Sequence, residues 1–86
     1  MSKSSLRAHL AALRRELAAA KTLDADTRQA LGALAEDIDG ALGERKPDYK
    51  SLRVRIRAAT LKFEAVHPRF SGILSDITDT LAKLGL

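Results

Sequence analysis

The stretch that decides the fold is residues 52–66, LRVRIRAATLKFEAV, because its apolar residues form two stripes on one helix. At about 100° per residue, one stripe contains Leu52, Ile56, Ala59, Phe63 and Val66. The other stripe lies roughly half a turn away and contains Val54, Ala58, Leu61 and Ala65. A helix that is apolar on both sides must be covered on both sides. In so short a chain, we expect the second cover to be another copy of the chain.

The composition is that of one small helical domain spanning residues 1–86. Apolar residues make up 45% of the chain and aromatic residues only 3%, so the core must be built from aliphatic side chains. A core of this size seldom contributes more than about 3–5 kcal/mol of stability. Without cysteine there is neither a disulfide nor a thiolate metal site. We therefore expect oligomerisation to reinforce the fold.

The apolar spacing predicts an all-α fold with helices at about 4–20, 24–42, 49–66 and 68–84. The first begins at Ser4 or Ser5 and carries a heptad stripe. Asp24 is the predicted N-cap of the second helix, and Gly43 its left-handed C-terminal cap. Asp48 or Ser51 caps the third helix. The inward-facing residues predicted for the first, second and fourth helices are Leu6, Leu10, Leu13, Leu17, Ala20, Leu31, Leu34, Ile38, Ala41 or Leu42, Phe70, Ile73, Leu74, Ile77, Leu81 and Leu84.

Pro68 leaves two geometries open for the second half of the chain. Proline disfavours helical geometry in the residue before it but is tolerated at the first position of a new helix, which favours a break. The heptad continues past Pro68 without a skip, which favours only a modest bend. The expected architecture is an N-terminal antiparallel hairpin packed on a long third helix, bent or broken at Pro68, with coiled-coil-like packing.

Charge is sorted by segment along the chain. Residues 1–21 carry a net charge of +4, residues 22–44 of −5, residues 45–69 of +6 and residues 70–86 of −1, which sum to +4. An acidic helix between two basic ones predicts attraction between neighbouring helices, within a chain or across an interface.

The basic segment 45–69 also allows a nucleic-acid interpretation, with Arg53, Arg55, Arg57 and Lys62 as the contacts. Apolar stripes split these cations between two flanks, and aromatic side chains for base stacking are not interleaved with them. We therefore favour solvated flanks and interhelical pairing over phosphate binding.

The sequence nominates no catalytic residue, cofactor site or metal site. His67 follows Glu64 by one helical turn, so the two could form a charge-assisted hydrogen bond, or the imidazole could cap the next helix. A metal site needs three or four ligands, and acid–base catalysis needs a partner group. A metal or small-molecule site near Glu64 and His67 is the least favoured of the three hypotheses.

The segment FEAVHPRF at 63–70, together with the LAKLGL ending at 81–86, resembles the family called domain of unknown function 4404. The family's F-E-x-x-H-P string corresponds here to Phe63, Glu64, His67 and Pro68, and Gly85 belongs to its terminal L-x-x-x-G-[IL] run. Leu6, Leu17 and Asp24 match its opening helices. Phe70 departs from the aliphatic residue expected there. The resemblance implies a small, all-helical, bacterial cytosolic protein and brings no activity, substrate or cofactor.

These observations predict a non-enzymatic interaction or scaffold protein that self-associates through helix–helix contacts. We expect a homodimer or tetramer whose interface includes Val54, Ala58, Leu61 and Ala65. An unidentified protein partner remains open, and a nucleic-acid-associated protein is the alternative.

Overall fold

The computed structural model describes residues 3–85 and is all-α, as predicted. Its four helices are α1 (Ser4–Ala19), α2 (Ala25–Gly43), α3 (Tyr49–Phe63) and α4 (Pro68–Leu84), and this part of the chain contains no strand. The molecule is elongated along the helices, with principal extents of 36 × 21 × 18 Å.

Consecutive helices run antiparallel. The end of α1 meets the start of α2, where the Arg28 guanidinium donates to the carbonyls of Leu17 at 2.9 Å and Ala20 at 2.6 Å. At the other end of this hairpin, the Lys3 Nζ lies 3.3 Å from the carbonyl of Leu42. The predicted N-terminal hairpin is therefore present.

The second half of the chain is also a hairpin, and this corrects the predicted long third helix. The Ser71 hydroxyl of α4 donates to the Thr60 carbonyl of α3 at 3.2 Å, which requires α4 to fold back along α3. Pro68 is at the start of α4, where its missing N–H costs nothing. The predicted break at Pro68 is therefore confirmed, and the modest bend inferred from the continuous heptad was wrong.

The core lies between the two hairpins. In addition to pairing within each hairpin, α1 packs against α4, whereas α2 and α3 meet less extensively. The buried apolar residues are Leu6, Leu10, Leu13, Leu31, Leu34, Ala35, Ile38, Ala41, Leu52, Ile56, Phe63, Phe70, Leu74, Ile77 and Leu81. Apolar residues packed against their edge include Leu17, Ala20, Leu42, Ala59, Ile73 and Leu84. The predicted inward stripes are thus largely confirmed.

Val66 is the exception, because 71% of its surface is exposed instead of lying in the inward stripe. It lies at the edge of the inward arc, in the turn after α3 where the chain changes direction to enter α4. The third helix therefore ends at Phe63 and not at residue 66.

Helix ends differ in how closely they follow prediction. Asp24 caps α2 by accepting from the Thr27 N–H at 2.7 Å, and Asp48 caps α3 by accepting from the Ser51 N–H at 3.0 Å. The N-cap position of α1 is Lys3, so both candidate serines lie inside its first turn. Gly43 is not a left-handed cap, since no glycine among residues 3–85 has a positive φ. Gly85 and Leu86 predict a helix stop in which Leu86 folds back on the last turn of α4, and Leu86 lies outside the described residues.

Candidate interaction surface on the third helix

The outward side of α3 presents an uncovered apolar stripe, which we call the outer stripe. It consists of Val54, Ala58, Leu61 and Ala65, all of them exposed. Val54 is 62% exposed and Leu61 67% exposed. Together with Val66, they are the large hydrophobic side chains left exposed among residues 3–85. The described part of the chain thus concentrates its large exposed aliphatic side chains on α3 and the turn that follows it.

The opposite side of the same helix is part of the core. Leu52, Ile56 and Phe63 are each no more than 5% exposed. The i−4 hydrogen bond from the His67 N–H to the Phe63 carbonyl, at 2.7 Å, extends the helical path by one turn beyond Phe63. Because of this extra turn, Ala65 continues the outer stripe although α3 itself has ended.

Charged residues border the outer stripe on both sides. By helical geometry, Lys50, Arg57 and Glu64 lie along one border, and Arg55 and Lys62 along the other. All five are exposed. The surface is therefore an apolar strip between two largely basic borders, with Glu64 as its acidic member.

The four cations proposed as nucleic-acid contacts are not equivalent. Arg55 forms an ion pair with Asp37 of α2, so part of its charge is satisfied within the chain. Arg53 is half-buried and lines a depression of about 520 Å³ between the start of α3 and the end of α4. Lys62 lies with its Nζ 5.6 Å from the centre of the Phe63 ring. Arg57 is exposed and has no ion-pair partner among residues 3–85.

Interhelical ion pairs follow the segmental charge pattern. Arg14 of α1 lies 3.7 Å from carboxylates of both Glu36 and Asp39 on α2. The charge blocks predicted attraction between helices, but they did not identify Asp37 as the partner of Arg55. Exposed pairs of this kind each contribute about 0–1 kcal/mol, so they select neighbours more than they stabilise the fold.

The F-E-x-x-H-P segment forms the junction between α3 and α4. The His67 ring lies between two buried aromatic rings, with centroids 6.0 Å from Phe63 and 6.2 Å from Phe70. Within the described chain, neither a hydrogen bond nor an ion pair joins Glu64 to His67, and the imidazole makes no capping bond to α4. The structure supports a packing role for His67 at this turn.

Gly85 lies where the end of α4 passes the first residue of α3. A Cβ at this position would be 3.3 Å from the Leu81 carbonyl oxygen and 3.8 Å from the Tyr49 Cβ. Gly85 is thus tightly placed against the last turn of its own helix, with Tyr49 of α3 at ordinary van der Waals distance. Its φ of −78° is ordinary helical backbone.

Residues 3–85 bring together no group of three or more metal-ligating side chains, and none of their helices has the length and apolarity needed to cross a bilayer. The hydrogen bond from Thr27 lowers the pKa of the Asp24 carboxyl, and the nearby Lys62 ammonium adds a smaller effect in the same direction.

Comparison with known proteins places the chain in a family without assigning an activity. No curated protein and no solved structure is significantly similar to it. A family model described as "Domain of unknown function (DUF4404)" matches residues 6–86, which is nearly the whole chain. The resemblance carried by residues 63–70 and 81–86 is therefore confirmed. This chain belongs to the DUF4404 family.

Proposed function

We propose that the protein is a non-enzymatic helical interaction module that self-associates through the outer stripe of α3. One observation carries the proposal: Val54 and Leu61 stay exposed on a helix whose other side already fills the core. Burying apolar surface gains roughly 25 cal/mol per Å², so covering this stripe would be favourable. The outer stripe repeats with the 4-3-4 spacing of a helix-packing seam, which fits another helix as its cover.

A second copy is the occupant that we propose for this surface. Arg57 and Glu64 supply opposite charges on one border of the stripe, so a second copy can pair each of them with its counterpart. A contact of one helix face against another is small, and interfaces below about 1,200 Å² are typical of weak association. We therefore propose a reversible homodimer, with a tetramer requiring a further surface.

Sedimentation velocity over a concentration series tests the proposal. The wild-type protein should shift from monomer to dimer in the micromolar range. Leu61→Glu should stay monomeric with unchanged helicity, because it places charge on the exposed stripe. Gln29→Glu, on the exposed side of α2, adds the same charge and should dimerise normally. A folded wild-type monomer throughout, or an unaffected Leu61→Glu variant, would contradict the proposal.

Nucleic-acid association is the second candidate function. Its support is the exposure of Lys50, Arg57 and Lys62 along one helix. Retention on duplex DNA should then be salt-sensitive and be lost in the Arg53→Glu/Arg57→Glu variant. The Arg7→Glu/Lys21→Glu variant makes the same change in net charge elsewhere and serves as the control. Failure to bind at about 50 mM salt would exclude this function.

The cellular location of the protein and the role of its self-association are part of the same proposal. We propose a cytoplasmic protein of bacteria, whose self-association serves as a scaffold for a further protein partner. Cell fractionation followed by immunodetection tests the location, and recovery in the membrane pellet would contradict it.

A further inference from the structure

We infer that the two copies of α3 pack antiparallel about a two-fold axis, with Val54 of one copy opposite Ala65 of the other and Leu61 opposite Ala58. This inference rests on the proposed self-association and specifies its geometry. It is carried by two features of the outer stripe: the alternation of large and small residues, and the positions of Arg57 and Glu64 on one border.

The side-chain sizes favour the antiparallel register. The stripe alternates Val54, Ala58, Leu61 and Ala65, so large and small side chains follow one another along the helix. An antiparallel pair with Val54 opposite Ala65 combines one large and one small residue in every layer. A parallel pair in register would instead stack Leu61 on Leu61 and Ala58 on Ala58. Even layers allow a constant interaxial distance, which the parallel arrangement does not.

The charges on the first border favour the same register. Arg57 and Glu64 are two helical turns apart, or about 10 Å along the axis, which is too far for an ion pair within one chain. Neither residue has an ion-pair partner elsewhere in residues 3–85. In the antiparallel register, Arg57 of each copy lies opposite Glu64 of the other, so the two-fold axis generates two complementary pairs. The parallel register places Arg57 opposite Lys62, which is repulsive.

The border formed by Arg55 and Lys62 contributes charge repulsion to the antiparallel arrangement. Arg55 of one copy approaches Lys62 of the other, and both are cationic. Asp37 of α2 is already paired with Arg55, so an acidic group stands at this border. The Lys62 ammonium therefore meets an Arg55–Asp37 pair, and the electrostatic cost is reduced.

Charge exchange tests the Arg57–Glu64 pairing by sedimentation. Arg57→Glu and Glu64→Arg each create two like-charge contacts, and each should raise the dimer dissociation constant about tenfold or more. The Arg57→Glu/Glu64→Arg double variant restores opposite charges and should return to near wild-type affinity. A double variant as weak as the single variants would overturn the inference, and so would single variants that dimerise normally.

Disulfide formation tests the register independently, in a chain that contains no native cysteine. Residues 54 and 65 are about 16 Å apart along one helix, whereas a disulfide needs Cα atoms within about 7 Å. A mixture of Val54→Cys and Ala65→Cys proteins should therefore cross-link between copies, and either protein alone should not.

The outcomes separate this inference from the proposed function. Efficient cross-linking of Val54→Cys with itself would overturn the antiparallel register while leaving self-association intact. A wild-type dimer in which the mixed cysteine variants fail to cross-link would do the same. A wild-type protein that remains monomeric would overturn the proposed function, and the register with it.

Discussion

At the scale of single residues, the two aspartates that begin α2 and α3 show how far local chemistry can be predicted. Asp24 and Asp48 precede helices, and a carboxylate at that position satisfies a backbone N–H that has no partner inside the helix. Such a cap depends on neighbouring residues alone, so the sequence predicted Asp24 and narrowed the cap of α3 to Asp48 or Ser51. The packing of His67 between Phe63 and Phe70 depends on how two helices meet, and the residue string did not indicate it.

Asp24 should make stability depend on pH in the acidic range. Its folded pKa is lowered by the Thr27 hydrogen bond, so its contribution is present above the unfolded pKa of about 4. That contribution is lost as the pH falls through the lower folded value. Asp24→Asn should be less stable than wild type near neutral pH, and the difference should shrink with acidification. Urea unfolding at several pH values measures this; Asp79→Asn, on the exposed side of α4, is the control.

Alanine substitutions at one buried and one exposed leucine should change the free energy of unfolding by very different amounts. Leu74 is fully buried, so Leu74→Ala should cost about 2–5 kcal/mol through lost burial and the cavity left behind. Leu61 is 67% exposed, so Leu61→Ala should change the stability of the monomer by no more than about 0.5 kcal/mol. Denaturant unfolding at concentrations below dimerisation measures both. A large loss for Leu61→Ala would contradict its placement outside the core.

At the scale of helices, periodicity located every element but could not determine how they connect. The stripe from Leu52 to Leu84 keeps heptad spacing across Pro68 because each of two helices presents an inward face to the same core. Heptad counting cannot distinguish one bent helix from two that fold back on each other. The backbone constraints of proline favoured a break, and the structure confirms it. The burial of Val66 was mispredicted because a position on the inward arc does not show whether a neighbouring helix covers it.

Two glycines should respond differently to substitution by alanine. A Cβ at Gly40 would meet no heavy atom within 4 Å, so Gly40→Ala should stabilise α2 by up to about 1 kcal/mol. Gly85→Ala should give no such gain, because its Cβ would crowd the Leu81 carbonyl at 3.3 Å. Thermal unfolding should show a midpoint raised by several degrees for the first variant only. Equal stabilisation by both would show that the close contact at Gly85 is unimportant.

At the scale of the whole molecule, the partner of each helix was the least predictable feature. Charge sorting predicted that α2 would attract its basic neighbours, and Arg14 and Arg55 do reach its carboxylates. The packing of α1 on α4 had no comparable signal, because an aliphatic stripe is compatible with any other aliphatic stripe. The candidate surface could be predicted because α3 has two apolar stripes, and one small core can cover only one of them.

Self-association should make thermal stability depend on protein concentration. If the native protein is a dimer and the unfolded chain a monomer, mass action raises the unfolding midpoint with concentration. Raising the concentration of wild-type protein through the association range should increase its midpoint by a few degrees. Leu61→Glu should show the same midpoint at every concentration. Calorimetry across a dilution series makes the comparison, and a concentration-independent wild type would contradict it.

The pairing of α1 with α4 also has a consequence for the kinetics of folding. Both hairpins close over short loops, and short-range closure is fast. The α1–α4 contact instead joins segments from the two ends of the sequence. During synthesis, the side of α1 that packs against α4 therefore stays exposed until α4 has been made. Until then the nascent chain exposes the leucines of α1, to which a chaperone or another nascent chain can bind.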